Sequence, residues 1–277
     1  MHLNLSMKPI IRLLRPATLF APVLAGLFGY MAFCSRVDLI SAITGLVVGL
    51  SFSTAQAFGQ VVNQIVDVEL DKIVKPDRPL PSGKITTEQA ISVATALLMS
   101  SLLLSMLVSQ MFVICITMLL FFAAWYSLPP LSPRKVNPIL NNLWVSISRG
   151  LIPILAVQVA AGSPIDVTMS IGVFLWVMAL QPTKDVTDVE GDRMMGIKTV
   201  LTELGVDGFR TIAVPTVVVS SILMYERPYL LFVLPIGIAA AITCKRKFLK
   251  ENNMGWYLYY FGLGMIYLAL FASRVVT

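Results

Sequence analysis

Charge is scarce in this 277-residue chain: 13% of its residues are charged, whereas 57% are hydrophobic. A soluble domain carries roughly 25% charged residues, because polar groups must cover its surface. The mean hydropathy is +0.81. This composition excludes a water-soluble enzyme, a disordered chain and a nucleic-acid-binding domain, although the net charge is +6. We expect the chain to lie in a membrane.

The sequence also lacks the residues of soft-metal and nucleophilic sites. Its single histidine is His2, at the N-terminus, where it cannot anchor a histidine-based site. Cys34, Cys115 and Cys244 are far apart in apolar runs and form no CxxC motif. Such cysteines are typical of small buried apolar residues. Carboxylates and amides therefore remain as the candidate metal ligands.

Long apolar runs are abundant, and a bilayer is crossed by roughly 20 such residues. Nine runs are predicted as membrane helices. They cover residues 18–34, 39–62, 90–108, 111–128, 139–161, 167–182, 209–225, 229–244 and 255–273. The sequence therefore predicts an all-α integral membrane protein: a nine-transmembrane-helix bundle in a single domain, residues 1–277.

The basic residues indicate the orientation of this bundle. When alternate connections are assigned to opposite sides, 18 Lys and Arg residues fall on one side and three on the other. The side with three basic residues has only Arg36, Arg227 and Arg274. Because Lys and Arg concentrate in cytoplasmic loops, we expect the N-terminus in the cytoplasm and the C-terminus outside a cell membrane.

The acids cluster in two short stretches, and the first follows the second span. Polar residues there recur at steps of 4, 3, 4 and 4, which places them on one helix face. They are Gln56, Gln60, Asn63, Asp67 and Asp71. Polar groups this deep in a span usually face a cavity, so this first polar stripe is a candidate site. A solvated helix end is the alternative.

The second stretch, at the end of the sixth span, repeats the arrangement. Its polar residues recur at steps of 4, 3 and 4: Gln181, Asp185, Asp188 and Asp192. The neighbouring Glu69 and Glu190 point away from their respective stripes. Both stretches lie in the long cytoplasmic connections, where functional residues are common.

Two facing carboxylate clusters repel each other unless a cation lies between them. Mg²⁺ prefers a few carboxylates together with substrate phosphate oxygens. Basic residues lie close to both stripes, at Lys75, Arg78, Lys84, Lys135, Lys184, Arg193 and Lys198. Acids and bases around one cavity suit a magnesium diphosphate, although each base can also be only an orientation signal.

These residues resemble the signatures of the UbiA superfamily of intramembrane prenyltransferases. Asn63, Asp67 and Asp71, followed by PDRPLPSG, are similar to the first signature, and KDVTDVEGDRMMG is similar to the second. The WYSLPP segment, which contains Tyr126, and the following Lys135 resemble the end of the fourth helix and its loop. The similarity extends over most of the chain.

The resemblance implies a central cavity capped by cytoplasmic loops, and Mg²⁺-dependent transfer of a polyprenyl group from its diphosphate. The implied metal ligands are Asn63, Asp67 and Asp71 for one ion, and Asp188 and Asp192, assisted by Asp185, for the other. The residues implied at the diphosphate are Asn63, Arg78, Lys135 and Lys184. Tyr126 would lie near the allylic carbon, where its ring can stabilise positive charge; an interfacial belt aromatic is the alternative.

The acceptor is less constrained by the motifs. Arg149, ten residues into the fifth span, is a candidate for acceptor contact or for structural pairing; Gln60 and Gln181 are further cavity candidates.

The RPATLFAPVLAG and YSLPP segments resemble the branch that prenylates geranylgeranylglyceryl phosphate or chlorophyllide. We expect a geranylgeranyl donor and the glycerophosphate lipid as acceptor, with no nucleic-acid or obligate protein partner. An aromatic or tetrapyrrole acceptor, an isoprenoid-lipid carrier without chemistry, and a terpene cyclase or hydrolase are alternatives.

Overall fold

The computed structural model describes residues 7–194, 196–225, 228–244 and 254–276. Throughout these ranges the regular secondary structure is helical. The first half contains α1 (Met7–Leu14), α2 (Phe20–Phe33), α3 (Leu39–Val66), α4 (Val68–Val74), α5 (Thr87–Met106) and α6 (Gln110–Trp125). The second half contains α7 (Pro138–Ser146), α8 (Ile152–Ala160), α9 (Val167–Leu180), α10 (Val189–Met194), α11 (Val200–Leu223), α12 (Val233–Thr243) and α13 (Met254–Val276).

Several of these helices meet the requirements for crossing a membrane. Five are long and apolar enough: α3, α5, the α7–α8 pair, α11 and α13. A sixth span is formed if residues 8–18 and α2, which are bent by 51°, count as one. The chain is therefore a multi-pass membrane protein. Helices α6 and α12 are apolar but shorter, so the count of nine spans stays a prediction.

The charge-based orientation also stays a prediction. Part of that argument rests on Arg227, Lys245, Arg246, Lys247 and Lys250, which lie outside the described residues, as does His2.

The helices begin where polar side chains cap them. Asp38 accepts a hydrogen bond from the backbone of Ser41 at 2.9 Å, and the Ser41 hydroxyl accepts one from the Asp38 backbone at 2.8 Å. Thr86 and Thr199 start α5 and α11 with the same reciprocal capping box. Each cap satisfies backbone N–H groups that have no partner within the helix.

Glycines allow α2 and α3 to approach closely. A Cβ added to Gly26 would lie 2.2 Å from the Cα of Gly49, and one added to Gly49 would lie 2.5 Å from the carbonyl oxygen of Val23. Small residues at such crossings bring backbones together where lipid supplies no hydrophobic drive for association. This contact fixes the start of α2 beside the polar face of α3.

Both acid stripes depart from the continuous α-helices that the spacing predicts. Helix α3 ends at Val66, Asp67 is its C-cap with φ −93° and ψ 11°, and α4 follows. After α9 the chain forms a 3₁₀ segment, Gln181–Thr187, with Asp188 as its C-cap. Because a 3₁₀ helix has three residues per turn, Asp185 and Asp188 stay on one side.

Candidate functional site: a cavity between two aspartate stripes

A cavity of about 480 Å³ lies between the two halves of the helical bundle. Its walls contain the carboxylates of both acid stripes: Asp67 and Asp71 from the first, and Asp185, Asp188 and Asp192 from the second. The structure thus brings together residues that are more than a hundred positions apart in the chain. Glu69 and Glu190 are exposed and do not line it, as their helical phase predicts.

The first stripe is fixed by side chains from α3 and from the segment after α6. The Asn63 amide donates hydrogen bonds to the Asp67 carboxylate at 2.9 Å and to the Ser127 hydroxyl at 3.0 Å. Asp71, 3% exposed, accepts a hydrogen bond from Arg78. Each acid therefore has a defined orientation toward the cavity.

Arg134 is the basic residue that the sequence argument missed. Its guanidinium donates to both oxygens of Asp67, at 2.7 and 2.5 Å, and the residue is 5% exposed. The adjacent Lys135, which the family resemblance places at the diphosphate, is exposed and does not line the cavity. The short 3₁₀ turn Pro133–Lys135 decides which of the two side chains points inward, and a family motif alone does not report that turn.

The second stripe is linked both to the first and to Tyr126. The Lys75 ammonium, just after α4, lies 2.7 Å from the Asp188 carboxylate and so connects the two stripes. Lys184 lies 3.7 Å from Asp185 and donates to the Tyr126 hydroxyl at 3.2 Å. These contacts join the ends of α4, α6 and α9 in one polar network.

Tyr126 lies on the cavity wall beside cationic groups. The Lys184 ammonium is 5.1 Å from the centre of its ring, and the Arg134 guanidinium carbon is 5.7 Å away. The electron-rich face of an aromatic ring attracts a cation at such distances. The ring is therefore placed to meet positive charge, which favours a site role over a role at the membrane interface.

The remaining candidates differ in position. Gln60 lines the cavity and donates to the Thr18 hydroxyl at 2.7 Å. Gln181 is buried but does not line the cavity. Arg149 lines it from a π-helical turn, Ile147–Leu151, and donates to the Tyr260 hydroxyl at 2.7 Å. A π-turn in a helix often marks a functional position, and here it carries the cation into the cavity.

The second stripe has an excess of negative charge that a cation would relieve. Burial, together with the carboxylates of Asp185 and Asp188, raises the pKa of Asp192 to about 7. Burial is also the main cause that raises the pKa of Asp185, while Lys184 opposes it. Asp192 has no hydrogen bond or ion pair to any other described side chain. Its oxygens are therefore free to bind a metal.

The donor set fits a hard divalent metal that also binds substrate. Among the described residues, no three His, Cys, Asp or Glu side chains converge closely enough to enclose an ion by themselves. Mg²⁺ is commonly held by one or two carboxylates plus substrate phosphates and waters, which this arrangement offers. The carboxylates and the Asn63 amide therefore suit an ion that also binds substrate phosphate better than an ion enclosed by protein ligands alone.

Comparison with known proteins agrees with the fold and the motifs. The UbiA prenyltransferase family matches residues 19–266. The digeranylgeranylglyceryl phosphate synthase of Sulfurisphaera tokodaii is 27% identical over 207 residues, 73% of this chain and 72% of that protein. That of Thermococcus sibiricus is 27% identical over 212 residues, 76% and 73% of the two chains. A solved UbiA homologue from Archaeoglobus fulgidus, bound to GPP and Mg²⁺, has a TM-score of 0.73 at 20% identity, covering 97% of this chain and 98% of its own.

The fold and the cavity together define an integral membrane protein of the intramembrane prenyltransferase class. The chain belongs to the UbiA prenyltransferase family. The family predicted from the two motifs is thereby confirmed, and the protein is a prenyltransferase.

Proposed function

We propose that this enzyme transfers a geranylgeranyl group from its diphosphate to geranylgeranylglyceryl phosphate. The C–O bond between the allylic carbon and the diphosphate breaks, and an ether bond forms to the acceptor hydroxyl. Diphosphate and the hydroxyl proton are released. The names of the two similar archaeal synthases support this acceptor, and the aspartate-lined cavity supports the chemistry.

The observation that carries the proposal is the meeting of the two aspartate stripes across one cavity. The Lys75–Asp188 contact at 2.7 Å spans them, and every carboxylate involved lines the same space. A diphosphate needs positive charge on several sides as its bond to carbon breaks. Only the folded arrangement of both stripes with their bases provides that environment.

The metal ligands of the proposal are Asn63, Asp67, Asp71, Asp185, Asp188 and Asp192. When bound, Mg²⁺ supplies positive charge that neutralises the diphosphate oxygens and improves the leaving group. Arg78 and Lys184 bind the same oxygens from the protein side. Arg134 takes the position expected of Lys135, because Arg134 faces the cavity. Groups fixed before the reaction stabilise developing charge without reorganisation.

Tyr126 stabilises the other product of bond cleavage. Its ring face, beside Lys184, is suited to the positive charge that develops on the allylic carbon. The apolar part of the wall, including Phe52, Leu119 and Phe122, excludes water that would otherwise capture this carbon. The prenyl chain is expected to lie along these residues.

Arg149 and Gln60 are proposed at the acceptor side of the cavity. Arg149 has no carboxylate partner in hydrogen-bonding distance among the described residues, and it donates to the Tyr260 hydroxyl. Gln60 lies on the polar face of α3 beside Thr18. Gln181 is not included, since it does not line the cavity.

The membrane arrangement completes the proposal. The chain is one domain of nine spans in the cell membrane, with its N-terminus in the cytoplasm, its C-terminus outside, and its site facing the cytoplasm under the two motif loops. The uneven distribution of Lys and Arg between alternate connections supports this orientation. The partners required are the prenyl diphosphate, the acceptor and the bilayer.

The deciding experiment incubates the purified protein in nanodiscs with labelled geranylgeranyl diphosphate, Mg²⁺ and parallel acceptors. We expect ether product with geranylgeranylglyceryl phosphate, and none after EDTA treatment until Mg²⁺ is restored. Product only with an aromatic or tetrapyrrole compound would show that this compound, and not geranylgeranylglyceryl phosphate, is the acceptor. Diphosphate release without an acceptor would favour a cyclase or hydrolase. Binding without any diphosphate release would favour a carrier.

A further inference from the structure

One cation on the cavity wall has no partner in the part of the chain that the structure describes. Six basic side chains of the described residues line the cavity: Arg15, Lys75, Arg78, Arg134, Arg149 and Lys184. Four of them pair with the stripe carboxylates, and Arg149 donates to Tyr260. The Arg15 guanidinium forms no hydrogen bond or ion pair with any described residue, and its Nη2 is buried. A guanidinium with a buried nitrogen that has no partner is suited to an anionic ligand.

The backbone holds Arg15 in an unusual conformation. Its φ of 49° and ψ of 63° are left-handed, and it is the one such non-glycine residue in the described part of the chain. It lies between α1 and the 3₁₀ turn Pro16–Thr18, just before the 51° bend that leads into α2. The Thr18 hydroxyl donates to its carbonyl oxygen at 2.8 Å. Strain of this kind clusters at functional positions, where surrounding structure maintains it.

Arg15 also lines a second, more open cavity of about 460 Å³, whose lining includes the carboxylate of Asp77. Arg15, Lys75 and Arg78 line both cavities, and Arg12 and Gln64 belong to the second alone. Neither the stripe aspartates nor Tyr126 lines the second cavity. It is therefore suited to an anion other than the diphosphate, bound beside Arg12 and Arg15.

The second cavity borders α1, because Arg12 of that helix lines it. Helix α1 exposes Lys8, Ile11 and Arg12 while burying Leu13 completely. A basic amphipathic helix of this kind lies in the membrane interface. A membrane lipid that enters beside α1 would bring its phosphate to Arg12 and Arg15, and its adjoining hydroxyl toward the main cavity.

We propose that Arg15, with Arg12 beside it, binds the phosphomonoester of the lipid acceptor at a site separate from the donor diphosphate. The inference rests on the proposed function, because it requires a phosphorylated lipid acceptor. Arg15 is a binding residue that selects the acceptor by its phosphate. It also sets where the acceptor hydroxyl enters.

The test compares geranylgeranylglyceryl phosphate with geranylgeranylglycerol, the same lipid without its phosphate, in phosphatidylcholine nanodiscs. The variant Arg15→Gly removes the side chain and suits the left-handed backbone. We expect the KM for the phosphorylated acceptor to rise about tenfold or more, and the preference for it over the unphosphorylated lipid to fall by the same factor. The KM for geranylgeranyl diphosphate should stay within about twofold.

Two further variants sharpen the comparison. Arg15→Lys keeps the charge and should recover part of the preference. Lys8→Ala removes a charge from α1, the helix just before Arg15, at a residue that lines neither cavity. It should leave all three values unchanged. Melting temperatures monitor folding; if Arg15→Gly unfolds, Arg15→Gln replaces it in the same measurements.

Several results would overturn the inference. One is an equal rise in the KM for both substrates, which would place Arg15 at the donor diphosphate. Another is an unchanged preference for the phosphorylated lipid. A third is loss of the Arg15→Gly effect when phosphatidylglycerol is added to the nanodiscs. Failure of the proposed function itself looks different, because the unmodified protein would then not use geranylgeranylglyceryl phosphate at all.

Discussion

Each aspartate of the cavity has a different neighbour, and those neighbours set its role. Asp67 is held by a buried guanidinium, Asp71 by Arg78, and Asp188 by Lys75 from the opposite stripe. Asp192 has no ion pair among the described residues; burial and the carboxylates of Asp185 and Asp188 raise its pKa, whereas Lys184 and Lys75 lower it. The acids thus range from fully paired to free, which suits a site that must accept metal and substrate together.

Substitution of one aspartate in each stripe tests the two-stripe site. We expect Asp67→Asn and Asp188→Asn each to reduce turnover about a hundredfold or more, since each removes negative charge from a preorganised electrostatic site. Prenyl transfer in nanodiscs is the measurement. Glu69→Gln and Glu190→Gln are matched controls, because both residues are exposed and outside the cavity. Full activity in either aspartate variant would contradict the metal assignment.

Arg134 and Lys135 offer an adjacent pair with opposite expectations. Arg134→Gln leaves the largely buried Asp67 carboxylate without its cation, and breaking a buried ion pair costs about 3–5 kcal/mol. We therefore expect a clear fall in melting temperature as well as a loss of activity. Lys135→Gln removes an exposed side chain and should change the free energy of unfolding by less than about 0.5 kcal/mol. A greater loss of activity in Lys135→Gln than in Arg134→Gln would indicate that Lys135, and not Arg134, binds the diphosphate.

At the scale of elements, helix ends position the chemistry. The first stripe changes from α3 to α4 at Asp67, and the second passes from α9 through a 3₁₀ segment to α10. Both breaks occur where the chain leaves the apolar part of the bundle. The backbone is not bound to a regular helical repeat where a helix ends. Acids on two successive elements can therefore face the same cavity.

The α2–α3 crossing is a second feature at this scale, and it yields a stability prediction. Gly26→Ala places a Cβ 2.2 Å from the Cα of Gly49, so the two backbones must separate. Overpacking of this kind costs about 1–3 kcal/mol, and we expect the melting temperature in nanodiscs to fall. Gly264→Ala is the control, since its nearest atom is the side-chain tip of Leu24 at 3.3 Å. An unchanged melting temperature for Gly26→Ala would mean that the crossing is loose.

For the whole molecule, the testable property is its orientation. After replacement of Cys34, Cys115 and Cys244, single cysteines at exposed Lys84 and Pro164 should react from opposite sides of the membrane. Lys84→Cys is expected to be labelled only from the cytoplasmic side by an impermeant maleimide, and Pro164→Cys only from outside. Labelling of both from one side would mean that an even number of spans separates them. That result would contradict the nine-span topology, which has three spans between these residues.

The local sequence was a good guide to helices and a poorer guide to their ends. Apolar runs locate α3, α5, α11 and α13 because burial in lipid depends on composition over about 20 residues. Their ends depend on single contacts. The helical spacing correctly predicted that Asp67 and Asp188 line the cavity, although each is the C-cap of its helix and neither lies within an unbroken α-helix. A change of helix geometry at a single residue leaves the side chain on the same side.

The sequence by itself determined the membrane class, the two aspartate stripes and the family, because each depends on residue type and short-range spacing. The tertiary structure decided which side chains meet. It turned Arg134 rather than Lys135 toward the cavity, paired Lys75 with Asp188, and left the Arg15 guanidinium without a partner among the described residues. Those outcomes depend on backbone geometry at the ends of helices and on the packing of residues far apart in the chain.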